Sequence, residues 1–507
     1  MIKPYQYLNR FFACLALFFY GETALAQVAV AKIEIDPAIT FQTIEGFGAS
    51  DAWTCQFAGL WPAEKRDKMA DLLFSTQTTK TGQPVGIGLN MWRFSIGGGS
   101  AAQGKASDIG DEWRRQYAFL QPDGSYDWNA MPGQTWFLKA AKTRGVKQFI
   151  GFVNSPNVLF TKNGKAYSTD GNCNLNFDKL PDFSADMVAT IKGLKKTTGI
   201  ELDYLSPANE PQWKWNEHNQ EGCPYNNTEL AQLYKGVNDA FAKNQIKTKI
   251  QIGEAGQLDY LYDNGNAAKG NQVYQFFNAS SPNYVGNLSN IDQSISAHSY
   301  FTTSPEQKLI NTRKKTAEAV AQIKGLRYWM SEYCVLGDDV LKGEKRDLGM
   351  VTALFIARLI HHDLVLSNAT SWQWWLAVSA GDYKDGLVYI DKNKTDGQVY
   401  DSKMLWALGN YSRFIKAGSK RVGVSITNGK EKQIYISAYL DNSNLVTVAV
   451  NTSEQDIDLD LEVKGSKPNV VQTYVTSAAY NLSPYKQYKS NQGIRVPAKS
   501  ITTIVSK

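Results

Sequence analysis

The sequence predicts an α/β fold: a (β/α)8 barrel with an appended β-sandwich formed by strands from both ends of the chain. Along most of the chain, short apolar runs alternate with amphipathic stretches, the pattern of a parallel closed barrel. After about Gly418 only short strand patterns with polar turns follow. The length of 507 residues suits a barrel plus a smaller domain, and 43% hydrophobic residues are enough for a large core.

The N-terminus has the features of a signal peptide over residues 1–26. A positively charged start precedes an apolar run from Phe11 to Tyr20, and Ala24-Leu25-Ala26 has the small-residue pattern of a cleavage site. The run is too short to span a bilayer, so we expect no stable membrane insertion. The mature protein is expected to be secreted or periplasmic.

The barrel is predicted over residues 44–416. Its eight strand candidates are Ile44–Ala49, Leu89–Ser95, Lys147–Val153, Asp203–Pro207, Lys249–Gly253, Ile295–Tyr300, Arg327–Glu332 and Thr370–Leu376. The clearest helices between them are Ala63–Phe74, Gln134–Arg144, Phe183–Thr197, Thr228–Lys243, Pro305–Ile323 and Arg346–His361.

The sandwich is predicted to combine residues 27–43 with residues 417–507. The strand pattern Val28–Ile39 precedes the barrel. The later strands are predicted at Val422–Ile426, Gln433–Leu440, Leu445–Asn451, Ile457–Leu461, Val470–Val475 and Ser500–Val505.

Four cysteines remain after the predicted cleavage, and export permits disulfides. Cys173 and Cys223 both lie in polar loop sequence, so we predict a bridge between them, although four cysteines allow three pairings. The sequence has four histidines and neither a CxxC nor an HxxxH spacing, so no metal site is expected.

Charge and aromatic content indicate the class of ligand. The net charge is +6, with no Lys/Arg block longer than three, which argues against a nucleic-acid partner. The chain has 13 Trp, and several lie at predicted strand ends or loops, among them Trp53, Trp213 and Trp374. Aromatic faces beside polar groups suit sugar rings, so we expect these three to bind a polysaccharide or oligosaccharide.

Two predicted barrel strands stop on a glutamate: the fourth is followed by Asn209-Glu210-Pro211, and the seventh ends at Glu332. Active sites of such barrels lie at the carboxyl ends of the strands. Glycosidic cleavage needs one carboxyl that protonates the leaving oxygen and one carboxylate that attacks the anomeric carbon. The pair therefore predicts a glycosidase site, and a separation of about 5–5.5 Å would give retention of configuration.

In these motifs the chain resembles glycoside hydrolase family 30. The matching stretches are Ile44 to Asp51, Trp92 to Ser95, Asn154-Ser155-Pro156, Ser206 to Pro211, His298-Ser299-Tyr300, Trp329 to Tyr333 and Leu408 to Ile415. The resemblance covers essentially the whole mature chain. It implies a barrel with a sandwich made from both termini, as the strand patterns also predict.

The resemblance also implies roles for single residues. Glu210 would be the acid/base and Glu332 the nucleophile. Asn209 would bind the 2-hydroxyl of the reacting sugar, and Arg93 would keep the nucleophile ionised.

Further residues are expected around these four. His298 and Tyr300 would line the subsite beside the nucleophile, Trp374 would be the sugar platform, and Asp51 would bind a sugar hydroxyl. No cofactor is implied, and we expect a monomer.

One departure from the family concerns the stretch after Ser155-Pro156, where an expected Trp is absent and Phe160 is a candidate to replace it. The segments Glu210 to Trp215 and Thr161 to Gly164 resemble the branch that cleaves β-1,6-linked galactans, the side chains of arabinogalactan. We therefore expect a retaining endo-β-1,6-galactanase. The alternatives are an endo-β-1,6-glucanase, a glucuronoxylanase or a glucosylceramidase-like hydrolase. The competing class is a carbohydrate-binding protein without catalysis, which would often have lost one of the two glutamates.

Overall fold

The structure is a computed structural model that describes residues 29–337, 340–427, 434–442, 444–465, 470–489 and 492–506. The predicted signal peptide, residues 1–26, lies outside the described residues, as does Gln433 at the start of a predicted strand. None of the described helices combines the length and hydropathy that a membrane crossing needs.

A first strand, β1 (Ala29–Thr43), is followed by the eight parallel strands of the predicted barrel. These are β2 (Gly46–Ser50), β3 (Met91–Ile96), β4 (Gln148–Val153), β5 (Tyr204–Ser206), β6 (Lys249–Ala255), β7 (Ile291–His298), β8 (Arg327–Glu332) and β9 (Ser371–Ser379). Strand β9 pairs with both β8 and β2, which closes the ring and confirms the predicted fold class.

The helices connect these strands. They are α1 (Cys55–Ala58), α2 (Ala63–Phe74), α3 (Ser100–Gln103), α4 (Pro132–Thr143), α5 (Leu180–Thr198), α6 (Asn227–Lys243), α7 (Gln272–Phe277), α8 (Glu306–Ala321), α9 (Met350–Val365) and α10 (Lys403–Ser412). Helix α6 begins with a capping box, in which Asn226 accepts from the Glu229 amide and Glu229 accepts from the Asn226 amide. The sequence pattern is weakest for the helix between the fifth and sixth barrel strands, and there the structure has the six-residue helix α7.

Two short strands that the sequence did not predict follow the barrel. Strand β10 (Gly386–Ile390) runs parallel to β9 on the outside of the ring, and β11 (Val399–Asp401) pairs antiparallel with β10. The loop between β9 and β10 thereby becomes part of the rim at the carboxyl ends of the strands.

The predicted sandwich contains β1 and the strands β12 (Lys420–Ile426), β13 (Ile434–Leu440), β14 (Leu445–Asn451), β15 (Ile457–Val463), β16 (Val470–Thr476), β17 (Ser483–Lys489), β18 (Ile494–Val496) and β19 (Ser500–Ser506). The strand order is β17-β16-β19-β14-β13-β12-β1-β15-β18. Strand β1 pairs antiparallel with β12 and parallel with β15, so the N-terminal segment lies inside the sheet. The edge strand β18 also packs against β19, and the sheet folds over one apolar core.

Helices α9 and α10 join the barrel to the sandwich by packing on strands that include β13 and β19. Asn410 of α10 donates from Nδ2 to Thr503 Oγ1 over 2.9 Å, and that hydroxyl donates to the Asn410 carbonyl over 2.6 Å. Both residues are fully buried, and apolar side chains of the two units form one continuous core around them. The sandwich therefore braces the side of the barrel and leaves the carboxyl ends of its strands open.

Candidate functional site

A cavity of about 780 Å³ lies at the carboxyl ends of the barrel strands, within the usual size range of small-molecule sites. Both glutamates of the predicted pair line it, together with Asn209 and a set of aromatic side chains that includes Trp53, Trp213, Tyr300 and Trp375. The cavity therefore combines carboxyl groups with apolar ring faces.

The two glutamates face each other across the floor of this cavity. Glu332 is the last residue of β8, and Glu210 follows β5. A carboxylate oxygen of one lies within 4.8 Å of a carboxylate oxygen of the other. Their solvent exposure is 7% for Glu210 and 3% for Glu332, so both carboxyl groups are shielded from water. This spacing is near the range of retaining glycosidases and below that of inverting enzymes.

Arg93 of β3 connects three polar side chains beneath the cavity. Its Nη1 donates to Glu332 Oε2, and its Nη2 donates to Asn209 Oδ1 over 2.8 Å and to Glu254 Oε2 over 3.1 Å. The guanidinium is 1% exposed and lies over the Phe152 ring at 4.0 Å. The contact with Arg93 takes up the amide oxygen of Asn209, so its NH2 group faces away from Arg93.

Glu254 is a site residue that the sequence analysis missed. It lies near the end of β6 and is almost completely buried, where it accepts hydrogen bonds from Ser206 Oγ and Ser331 Oγ. Burial alone would raise the pKa of Glu254, but Arg93 and His298 lower it to about 2. The predicted strand stops at Gly253, one residue short, and extending the search for acids at strand ends by that residue would have found it.

His298 lies between the carboxyl groups. Its Nδ1 is 2.9 Å from Glu210 Oε1 and 3.6 Å from Glu332 Oε1, and its Nε2 is 3.0 Å from Glu254 Oε2. Burial alone would lower the pKa of His298, but the charge of Glu332 and the hydrogen bonds to Glu210 and Glu254 raise it to about 10. The imidazole is therefore protonated at neutral pH and donates from both nitrogens.

The charges in this cluster nearly balance. Arg93 and His298 supply two positive charges against the three carboxyl groups of Glu210, Glu254 and Glu332. A buried excess charge is costly, so one carboxyl group is best neutral. Burial raises the pKa of Glu210, and the charge of Glu332 raises it further against the opposing charge of His298. Glu210 is thus the carboxyl group best placed to hold a proton.

Tyr300 lies beside the second glutamate. Its hydroxyl donates to Glu332 Oε1 over 3.0 Å, and its ring meets the His298 ring edge to face at 5.7 Å. Together with the Arg93 contact, each carboxylate oxygen of Glu332 has a donor, which fixes the orientation of the group.

Glu210, His298 and Glu332 are also the one group among the described residues whose spacing would allow a metal ion to be held. Its histidine is raised in pKa and donates to the carboxylates, whereas a metal ligand must be a neutral imidazole. Arg93 adds a positive charge at the same place. This donor set therefore fits hydrogen-bonded carboxyl groups better than a cation.

The prediction that Trp374 forms the sugar platform is wrong. Trp374 is fully buried, and its Nε1 donates to the Asp385 carbonyl over 2.6 Å. Trp375 lines the cavity instead. Side-chain alternation along β9 explains the difference: Trp372 and Trp374 stack on each other at 6.2 Å, so the next residue, Trp375, points to the opposite face. Ala49 pairs with Trp374 but Ser50 pairs with Leu376, so Trp375 is an extra residue in an irregular stretch.

The other predicted aromatic residues lie on the cavity wall. Trp53 meets Trp375 edge to face at 5.3 Å, and Trp213 meets Phe301 in the same manner at 5.5 Å. Phe160, the candidate to replace the missing Trp, packs against Phe183 and is not among the residues that line the cavity.

Asp51 does not reach the cavity either. It is fully buried, and its Oδ1 accepts from the Ser95 amide over 2.7 Å and from Gln134 Nε2 over 3.4 Å. Burial raises the pKa of Asp51 to about 8, so the group is mostly protonated at neutral pH. Asp51 therefore links β2 to β3, and the prediction that it binds a sugar hydroxyl is wrong.

The structure brings the thiols of Cys173 and Cys223 into hydrogen-bond contact in a buried position. Both are free thiols in the structure. The proximity satisfies the first requirement for a bridge, and the disulfide itself stays a prediction.

Two family models together match most of the chain. The model of O-glycosyl hydrolase family 30 matches residues 30–389, and that of the glycosyl hydrolase family 30 β-sandwich domain matches residues 418–504. The chain belongs to glycoside hydrolase family 30. The family 30 assignment makes the protein a glycosidase and agrees with the two carboxyl groups in the cavity.

The proteins to which this chain is similar have different named activities. An endo-β-1,6-galactanase of Hypocrea rufa is 23% identical over 456 residues, 85% of each chain. A glucuronoxylanase of Bacillus subtilis is 26% identical over 187 residues, which are 36% of this chain and 40% of that enzyme. The crystal structure of a conserved exported protein from Bacteroides fragilis has a TM-score of 0.87 and 32% identity, and the match covers 93% of this chain and 99% of that one.

Proposed function

We propose that this protein is a secreted retaining endo-β-1,6-galactanase in which Glu332 is the nucleophile and Glu210 the acid/base. The observation that carries the mechanism is the approach of the two carboxyl groups to within 4.8 Å across a cavity lined by aromatic rings. The galactanase relative, which matches over 85% of this chain, supports the substrate. The exported relative supports secretion.

In the first step the Glu332 carboxylate attacks the anomeric carbon while the bond to the glycosidic oxygen breaks. Glu210 gives its proton to that oxygen, so the leaving sugar departs as an alcohol and a glycosyl ester of Glu332 remains. The raised pKa of Glu210 supplies the proton near neutral pH. Arg93 and Tyr300 hold Glu332 in the orientation for attack.

In the second step Glu210, now ionised, takes a proton from water. The water oxygen attacks the anomeric carbon, and Glu332 leaves as a carboxylate. Asn209 is held by Arg93 so that its NH2 group can donate to the 2-hydroxyl of the sugar, a contact that strengthens as positive charge develops on the ring. Both steps balance with carboxyl groups and water alone.

Since the scheme needs no metal ion, we expect activity to be unchanged after dialysis against EDTA. Loss of activity that added divalent cation restores would contradict the scheme.

Product analysis tests the proposal directly. The purified mature chain is incubated with β-1,6-galactan, β-1,6-glucan and glucuronoxylan, with Glu332→Gln as the control. We expect short β-1,6-galactooligosaccharides from the wild type and none from the control. NMR should show the new reducing end first in the β-configuration. An initial α-anomer would overturn retention.

The other outcomes separate the alternatives. If products form only from β-1,6-glucan or only from glucuronoxylan, the proposed mechanism stands but the proposed substrate is wrong. Glucuronoxylan is included because a glucuronoxylanase is among the relatives of this chain. A protein that binds a glycan but cleaves none of the glycans tested, nor glucosides or lipid-linked sugars, would instead be a carbohydrate-binding protein.

A further inference from the structure

Asp385 is an ionisable group in the cavity wall that the proposed mechanism does not use. It directly precedes β10 and is 8% exposed. Its side chain is hydrogen-bonded to Ser379, yet its Oδ1 is buried and has no hydrogen-bond partner. Burial raises the pKa of Asp385, as expected for a carboxyl group short of donors. An acceptor buried without a donor is costly, and a bound ligand is one way to satisfy it.

The fold holds this group in place through its main chain. Trp374 Nε1 donates to the Asp385 carbonyl over 2.6 Å. The next residue, Gly386, pairs with Leu376 of β9. A Cβ atom at Gly386 would lie 2.7 Å from Ser379 Cβ, so the close approach of the two strands requires glycine. Asp385 is therefore fixed against Ser379 while its second oxygen stays without a donor.

The neighbours of Asp385 in the wall are suited to a sugar. Trp375, Trp53 and Tyr383 present aromatic rings to the same cavity. The nearest cation in the lining, Arg114, has its guanidinium over the Trp53 ring at 4.7 Å rather than in an ion pair with Asp385. An apolar ring face beside a fixed acceptor matches a pyranose, which has a C–H face and hydroxyl donors at its edge.

We propose that Asp385 determines specificity by accepting, at Oδ1, a hydrogen bond from one hydroxyl group of the sugar ring that packs on Trp375. The inference rests on the proposed function and adds a recognition residue outside the catalytic cluster. Trp374 is then a positioning residue, which acts on the sugar only through Asp385.

The test is a cycle between protein variants and monodeoxy substrates. Asp385→Ala and the isosteric Asp385→Asn are compared with wild type on the glycan that the wild type cleaves and on oligosaccharides lacking one hydroxyl at a time. We expect kcat/KM to fall about 10- to 100-fold in Asp385→Ala on the complete sugar. For one deoxy analogue the wild type should already show this loss, and Asp385→Ala should add none.

Asp186→Asn is the matched control, because Asp186 is another buried aspartate with one hydrogen bond, from the Tyr126 hydroxyl, and does not line the cavity. Its kcat/KM should equal that of wild type. Circular dichroism verifies folding, and if Asp385→Ala fails to fold, Asp385→Leu, which also lacks an acceptor, takes its place in the cycle.

The outcomes distinguish the two proposals. A wild type that cleaves no glycan overturns the proposed function and this inference with it. If the wild type is active but Asp385→Ala, or Asp385→Leu in its place, loses the same factor of kcat/KM on every analogue or loses nothing, only the role of Asp385 is overturned.

Discussion

At the scale of single residues, the roles proposed for the two carboxyl groups agree with their hydrogen-bond partners. Glu210 has a histidine that donates to it and a raised pKa, whereas Glu332 has donors on both oxygens from Arg93 and Tyr300. Donors to both oxygens stabilise a carboxylate, and burial beside another negative charge favours a protonated acid. The two environments therefore suit the two different functions that we propose for the same residue type.

Substitution of each glutamate by glutamine should separate these roles. Glu210→Gln should lower kcat/KM about 10²- to 10⁴-fold on natural glycans but far less on nitrophenyl glycosides, because a good leaving group hardly needs protonation. Glu332→Gln should abolish cleavage of both, by about 10⁴-fold or more. Steady-state kinetics on the two substrate types measures this. Equal losses for Glu210→Gln on both types would argue against the acid assignment.

Glu254 should stabilise the fold in a pH-dependent manner. Its pKa of about 2 is below the ordinary 4.5, so its stabilisation is fully present above about pH 4.5 and is lost as the pH falls towards 2. Glu254→Gln should therefore lower the free energy of unfolding by about 3 kcal/mol at pH 7 and by less at pH 3. Urea unfolding followed by tryptophan fluorescence provides the values.

Asp186→Asn again serves as the control, because its effect on the free energy of unfolding should change with pH in the opposite direction. Burial raises the pKa of Asp186 to about 6, so its ionisation destabilises the fold as the pH rises. The cost of Asp186→Asn should be smaller at pH 7 than at pH 3. Two variants with the same pH trend would contradict the pKa directions given for this pair.

At the scale of elements, β9 shows how pairing decides which side chains reach the cavity. Trp372 and Trp374 stack on each other at 6.2 Å on the outer side, where Trp372 Nε1 donates to Asp363. Trp375, the residue after Trp374, points to the opposite face and lines the cavity. One strand therefore carries both core and site aromatics.

Substitutions in β9 should reflect this division. Trp375→Ala should raise KM about tenfold, since an aromatic face for the sugar is lost. Trp372→Phe keeps the ring but removes the hydrogen bond to Asp363, so it should lower the free energy of unfolding by about 2 kcal/mol and leave KM unchanged. Steady-state kinetics and urea unfolding of both variants test these expectations. A changed KM in Trp372→Phe but not in Trp375→Ala would show that Trp375 does not supply the sugar-binding face.

At the scale of the whole molecule, β1 joins the two ends of the chain. It lies between β12 and β15, so the sandwich is complete only when both ends of the described chain come together. Its inward side chains belong to the sandwich core. Barrel and sandwich also share buried contacts through α9 and α10, which makes their stabilities interdependent.

A buried and an exposed isoleucine of β1 offer a matched test. Ile33 is 2% exposed and Ile39 is 51% exposed. Ile33→Ala should cost about 2–5 kcal/mol of stability and speed hydrogen exchange in β12 and β15, whereas Ile39→Ala should change stability by at most about 0.5 kcal/mol. Exchange measured by mass spectrometry reports each strand separately. Unchanged protection of both neighbours in Ile33→Ala would mean that β1 does not organise the sheet.

Much of the fold and the central pair of carboxyl groups could be predicted from sequence. Alternating strand and helix patterns imply a closed barrel, and closure brings the carboxyl ends of all strands to one face. Glu210 and Glu332 therefore had to lie near each other once their strands were identified. Strand β10 was missed because it follows the eighth barrel strand without the helix that the alternating pattern leads one to expect.

The sequence by itself determined the barrel, the terminal sandwich and which glutamates share the cavity, because these depend on periodicity and on strand order. Only the tertiary structure decided that Trp375 rather than Trp374 faces the cavity, that Asp51 is enclosed, and that Glu254 joins the charge network. Successive side chains of a strand point to opposite faces, so which of two adjacent tryptophans lines the cavity depends on how the strand pairs with its neighbours. That pairing involves distant strands and leaves no local pattern in the sequence.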